Sequence, residues 1–237
     1  MNTHWVQSQG AVLVVAAHPD DEVLGCGGTL ARLADEGREA HILLMADGET
    51  SRDFDAALGD VTARLAARKA AAQRACTILG CASVEVLALP DNRLDSVELL
   101  HLVKEIESLV ERYRPSVVLT HHFGDVNVDH RLIHDAVIAA CRPQPGHPVK
   151  ELLFFEVPSS TEWRPAGSAA AFNPNWFVDI TATLHRKIEA LMAYEDELRE
   201  FPHPRSIKAI TALANWRGAT VGLEAAEAFA LGRKIVT

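Results

Sequence analysis

The stretch Ala11-Val-Leu-Val-Val-Ala-Ala17-His-Pro-Asp-Asp-Glu22 decides how the rest of the chain is read. Its first seven residues are apolar without alternation. That is the pattern of a strand covered on both faces, as in a parallel sheet. Residues 23–36 then carry Val23, Leu24, Leu30 and Leu33 at helical spacing, with Gly37 as a stop. The rhythm repeats outward: strands over 40–46, 84–89 and 116–120, separated by helices over about 60–79, 95–113 and 130–141. Asp95 reads as the N-cap of the third helix, with Glu98 three residues on. Such alternation predicts an α/β fold with a mostly parallel sheet and helices on both faces. In open sheets of this kind ligands bind outside the carboxyl ends of the strands. The loops after Ala17, Ala46, Leu89 and Thr120 should therefore share one rim.

Beyond Pro143 the pattern predicts strands over 152–157 and 177–180 and helices over 183–198, 206–216 and 223–231. With 237 residues, 48% of them hydrophobic, and neither repeat nor linker, residues 1–237 are expected to form one domain. The 23 basic and 32 acidic residues give a net charge of −9 with no basic stripe, which argues against a nucleic-acid binder. The apolar run ends at His18, far short of the roughly 20 residues a membrane span requires. Residues 1–10 hold no Lys or Arg, unlike a signal peptide. Cys26, Cys76, Cys81 and Cys141 form no CxxC pair and read as buried thiols of a cytoplasmic protein.

The chemistry sits in two loops. In His18-Pro-Asp-Asp-Glu22, helix capping accounts for one or two carboxylates but not for three beside a histidine and a proline. The Gly25-Cys-Gly-Gly28 run is no dinucleotide loop, because the turn before it is acidic; its glycines instead allow close helix packing. The second loop, Thr120-His-His-Phe-Gly-Asp-Val-Asn-Val-Asp-His130, adds three histidines and two aspartates on the same predicted rim. Two imidazoles and a carboxylate are the ligand set of a catalytic zinc, and a spare carboxylate beside them can act as general base. The same set would serve a non-haem Fe(II) oxygenase, or a binding protein merely stabilised by metal.

Residues Ala17-His-Pro-Asp-Asp-Glu22 and Asn127-Val-Asp-His130 together resemble the LmbE/PIG-L family of zinc-dependent de-N-acetylases. The resemblance implies a Rossmann-like core over about 11–142, with 143–237 completing the domain and the substrate pocket. It implies one Zn²⁺ per chain on His18, Asp21 and His130, with Fe²⁺ or another divalent ion able to replace it. By the same resemblance Asp20 is the general base and Asp129 orients a ligand. Many members have a histidine where this chain has Asn127, whose amide can donate to an oxyanion but cannot deliver a proton. Asp20 is then expected to return the proton it took, with His122 and His203 as other sources. Arg52, Asp91, His122 and His203 are the expected substrate contacts. The implied partner is a small N-acetylated sugar, and a homo-oligomer is left open.

Overall fold

The computed structural model describes residues 10–50 and 58–236. Arg52 lies outside them. Strands β1 (Val12–Ala16), β2 (Ala40–Ala46), β3 (Ser83–Leu89), β4 (Val117–His121), β5 (Glu151–Phe155), β6 (Trp176–Asp179) and β7 (Ala226–Lys234) form one sheet. Its order is β3-β2-β1-β4-β5-β7-β6. The first five strands pair in parallel, and β7 runs antiparallel between β5 and β6. Helices are α1 (Asp21–Asp35), α2 (Leu58–Leu79), α3 (Leu99–Tyr113), α4 (Val128–Ala140), α5 (Leu184–Met192) and α6 (Ile207–Ala219).

The unbroken apolar run of β1 is explained by its two faces. Val12, Val14 and Ala16 enter one core with Leu30 of α1, Ala75 of α2 and Leu191 of α5. Leu13, Val15 and Ala17 enter the other with Ile106 of α3 and Ile133 of α4. A period of two sends alternate side chains to opposite faces, so a strand with helices on both sides must be apolar throughout. Gly25 and Gly28 let α1 lie close to its neighbours. A Cβ on Gly25 would sit 2.3 Å from the Phe155 ring, and one on Gly28 2.8 Å from Ile180.

Three expected elements differ. Residues 223–231, read as a helix from Ala, Glu and Leu, are largely strand β7. Its backbone pairs with both β5 and β6, which overrides the helix propensity of those residues. Asp95 caps no helix. The Leu94 amide is drawn 3.0 Å to Asp129 Oδ1, which leaves 94–96 as a 3-10 turn, and α3 begins at Leu99. The helix expected over 183–198 stops at Met192 and is followed by a 3-10 turn at Glu195–Glu197 that faces the site. All four cysteines are unpaired, three of them buried.

Sheet order reverses between β1 and β4, since β2 lies on one side of β1 and β5 on the far side of β4. The loops leaving β1 and β4 diverge there and open a crevice, the place where such sheets bind ligands.

Candidate metal centre and active site

Asp21 is the hub of that crevice. It is fully buried at the start of α1, and its Oδ2 lies 3.2 Å from His18 Nδ1 and 3.3 Å from His130 Nε2. One ligand atom each from His18, Asp21 and His130 falls within 4.8 Å of the others. The remaining nitrogen of each imidazole faces a further carboxylate. His18 Nε2 is 3.1 Å from Asp129 Oδ2 and 3.2 Å from Asp91 Oδ1. His130 Nδ1 is 3.2 Å from Asp125 Oδ2. Carboxylates behind metal-binding histidines fix the tautomer and raise ligand basicity.

Two observations fit a cation here. Asp21 Oδ1 is buried without a hydrogen-bond partner, and the 3.3 Å approach of His130 Nε2 to Asp21 Oδ2 is an ion-pair contact without hydrogen-bond geometry, an arrangement that wastes polar groups unless a ligand satisfies them. The carboxylates also draw positive charge inward. Burial lowers the affinity of both imidazoles for protons, yet Asp129, Asp21 and Asp91 raise His18 well above its ordinary pKa. Asp21 and Asp125 likewise lift His130 to about 9. Carboxylates that favour positive charge on these imidazoles would equally favour a divalent ion, which competes with protons for the same nitrogens.

Asp125 did not stand out from the other acidic residues of its loop. Burial pushes its carboxyl up, but His130, Ser160 and Thr161 outweigh this and hold it well below the usual range. Thr161 Oγ1 donates to its Oδ2 at 2.7 Å, and Ser160 Oγ donates to its Oδ1.

Asp20 is turned the other way from its neighbour. Its Oδ2 accepts a 2.7 Å bond from Arg205 Nη1, and Arg205 Nη1 also lies 3.5 Å from Glu197 Oε2. Burial raises the Asp20 pKa to about 7, against the opposing pull of Arg205. A carboxyl near neutrality is matched to taking and returning a proton. Neither Arg205 nor Glu197 was legible in the sequence, because the Arg205–Asp20 contact spans 185 residues.

A cleft of about 100 Å³ opens beside these groups, lined by His18, Asp20, Asp91, Asn127, Glu197 and Arg205 among others. Roomier depressions of about 330 and 450 Å³ lie elsewhere. Asn127 is committed: its Oδ1 caps α4 by accepting from the Asp129 amide at 2.8 Å, and its Nδ2 donates to Asn92 at 2.9 Å. His122 does not join the cleft. Its Nε2 donates to Ala170 O at 3.0 Å, and its ring packs against Phe123 and Phe172. His203 supports Arg205 instead, its Nδ1 accepting the Arg205 amide at 3.1 Å. His121 is buried and neutral, with Nε2 accepting from the Ala17 amide at 2.8 Å.

Fold and crevice define an α/β protein with a histidine–carboxylate centre at the strand switch. Comparison with known proteins carries this further. A family profile described as PIG-L, GlcNAc-PI de-N-acetylase, matches residues 13–141. The diacetylchitobiose deacetylase of Thermococcus kodakarensis is 29% identical, over 80% of this chain and 70% of the relative. The 4-oxalmesaconate hydratase of Pseudomonas putida is 33% identical, over 81% and 77%. Among solved structures, the conserved protein TT1542 of Thermus thermophilus superposes with a TM-score of 0.74 at 28% identity, covering 96% and 97% of the two chains. The chain belongs to the PIG-L family. Among the described residues no helix is long and apolar enough to cross a membrane.

Proposed function

We propose that this protein is a metal-dependent de-N-acetylase acting on an N-acetylated amino sugar or its conjugate. The observation that carries the reading is the divergence of two adjacent aspartates: Asp21 faces two imidazoles, while Asp20 faces the cleft and Arg205. On this reading His18, Asp21 and His130 hold the ion, zinc or another divalent metal, and residues 1–237 act as one domain whose 143–237 part supplies Glu197 and Arg205. Such an ion, when bound, polarises the amide carbonyl and lowers the pKa of a water.

The remaining work falls to the chain. Asp20 takes a proton from the attacking water as its oxygen bonds to the acetyl carbon. The carbon–nitrogen bond then breaks, Asp20 returns the proton to the departing nitrogen, and acetate and a primary amine leave. Asp20 has the protonation range for both steps. Asp129 holds His18, and Asp125 holds His130.

The relationship to a hydratase raises a second reading, addition of water to a carboxylate substrate. The cleft disfavours it. The one arginine among its described walls, Arg205, is already bound by Asp20 and Glu197, which leaves no unpaired arginine there to clamp a substrate carboxylate. An oxygenase is disfavoured by the spare base Asp20, and a structural ion by a set of only three ligands. The deciding experiment is acetate release from a panel of N-acetylated hexosamines, disaccharides and glycosyl conjugates, run beside hydration of an unsaturated dicarboxylate. Acetate release from an amino sugar supports the proposal; hydration with no acetate released overturns it.

A further inference from the structure

We propose that Glu22 is the positioning residue of Asp20, holding its backbone in the conformation that parts the two aspartates, with Tyr194 as its anchor. The inference rests on the reading of Asp20 given above. Asp20 has φ 127° and ψ −27°, a region that side chains other than glycine's rarely enter. Something must hold it there, since strain of this kind persists only where the surroundings over-determine it.

The surroundings do so from three sides. Glu22 Oε2 accepts the Asp20 amide at 3.0 Å. The Asp20 carbonyl accepts the amides of Val23 and Leu24 at 3.0 and 2.9 Å, which ties it into the first turn of α1. Its carboxylate is bound by Arg205. The first contact is the distinctive one, because it reaches back over a single residue and needs a side chain fixed in place. That fixing comes from Tyr194, whose hydroxyl donates to Glu22 Oε1 at 2.6 Å. Glu22 and Tyr194 are 1% and 2% exposed, so water does not compete for either contact. Tyr194 lies between the end of α5 and the turn that delivers Glu197, which binds the same Arg205. One short segment therefore braces both the backbone and the side chain of Asp20.

Glycine would adopt this backbone at ease, but it has no carboxylate. Keeping aspartate at position 20 is thus possible only with a brace, and Glu22 is that brace. A residue acting this way touches neither substrate nor ion.

The test is a pair of double-mutant cycles on the metal-loaded full chain. In the stability cycle, Asp20→Gly and Asp20→Ala both give up the Arg205 contact, but only the glycine relieves the strain, so Asp20→Gly should exceed Asp20→Ala in Tm by roughly 3 °C or more. In Glu22→Ala or Tyr194→Phe, where the backbone has relaxed, that margin should fall by at least half. In the kinetic cycle, Glu22→Ala and Tyr194→Phe should lower kcat roughly tenfold or more with KM and metal content kept, and should cost nothing further in Asp20→Asn. Glu22→Gln, which keeps an acceptor for the Asp20 amide, should recover most of the loss. An equal Tm margin in all backgrounds overturns the proposal, as do additive kcat losses or a Gln variant as poor as Ala. If Glu22→Ala does not fold, Tyr194→Phe runs both cycles alone. A wild type that releases no acetate defeats the deacetylase reading, and the stability cycle still judges the brace.

Discussion

Lys187 and Glu227 form a buried ion pair across a break in α1. The helix loses its regular geometry at Cys26 (φ −147°, ψ 18°), and a break of this kind interrupts the helical hydrogen-bond ladder. Glu227 accepts the amides of Gly28 and Thr29 at 2.9 and 2.7 Å, and Lys187 Nζ donates to Leu24 O at 2.8 Å. Each charge thus meets its opposite and also mends one side of the broken helix.

Removing one member leaves the other charged and buried. Glu227→Ala or Lys187→Ala should each cost about 3–5 kcal/mol, while replacing both with apolar residues should cost less than the sum. Urea unfolding of the two single variants and the double variant measures this.

For the ion, His18→Ala, Asp21→Ala and His130→Ala should each remove the bound metal from the purified protein. Asp125→Asn, which only weakens the support of His130, should reduce metal affinity by about 10–100-fold and leave a site that excess zinc refills. Competition with a chelator separates the two behaviours.

Asp20→Asn should keep its metal and its KM while kcat falls by about 10²–10⁴-fold, the usual worth of general acid–base catalysis. Asp21→Asn should fail first at metal retention. Bound metal and kcat measured side by side on the two variants assign the roles, and a reversal would swap them.

Packing offers a prediction free of chemistry. Gly25→Ala should destabilise by about 1–3 kcal/mol, because the new methyl meets the Phe155 ring. Phe155→Leu in the same chain should return part of that loss, even though Phe155→Leu alone is also destabilising.

Burial holds the His134 imidazole below its ordinary pKa, despite the His121 carbonyl that its Nδ1 meets at 2.9 Å. The unfolded chain then binds the extra proton first. Its contribution to stability is complete above about pH 6.5, the unfolded value, and is lost as the pH falls through the folded value. The loss in unfolding midpoint between pH 8 and 5.5 should be smaller in His134→Asn than in the wild type. Comparing the two isolates this group from His18 and His130, whose shifts have the opposite sign.

What the sequence disclosed followed from local pattern. The doubly covered strand β1 could be read because burial on both faces leaves no room for polar residues. The crevice could be placed because α/β connectivity dictates which loops share a rim. Asp129 and Asp21 lie on those loops and were found with them. Arg205, Glu197 and Tyr194 reach the site through tertiary folding alone, in a segment whose residues look like any helix end. Strand β7 was missed for a related reason: Ala226-Glu-Ala-Phe-Ala-Leu231 favours a helix until two neighbouring strands claim its backbone. Asn127 was read for the donor its amide offers, although Asn before a helix is a common cap, and capping is where its oxygen went.

The place of β7 also bears on how the molecule is made. Among the described residues β7, which follows β6 in the chain, lies inside the sheet, and β6 has no hydrogen-bonded neighbour other than β7. A ribosome-bound chain can join β1 to β5 but must hold β6 unmatched, and the outer edge of β5 open, until β7 has emerged. Such an edge is a template for intermolecular pairing. Chaperone demand should therefore concentrate between the emergence of β5 and that of β7, and a stall shortly before residue 226 should yield more aggregate than one before residue 151.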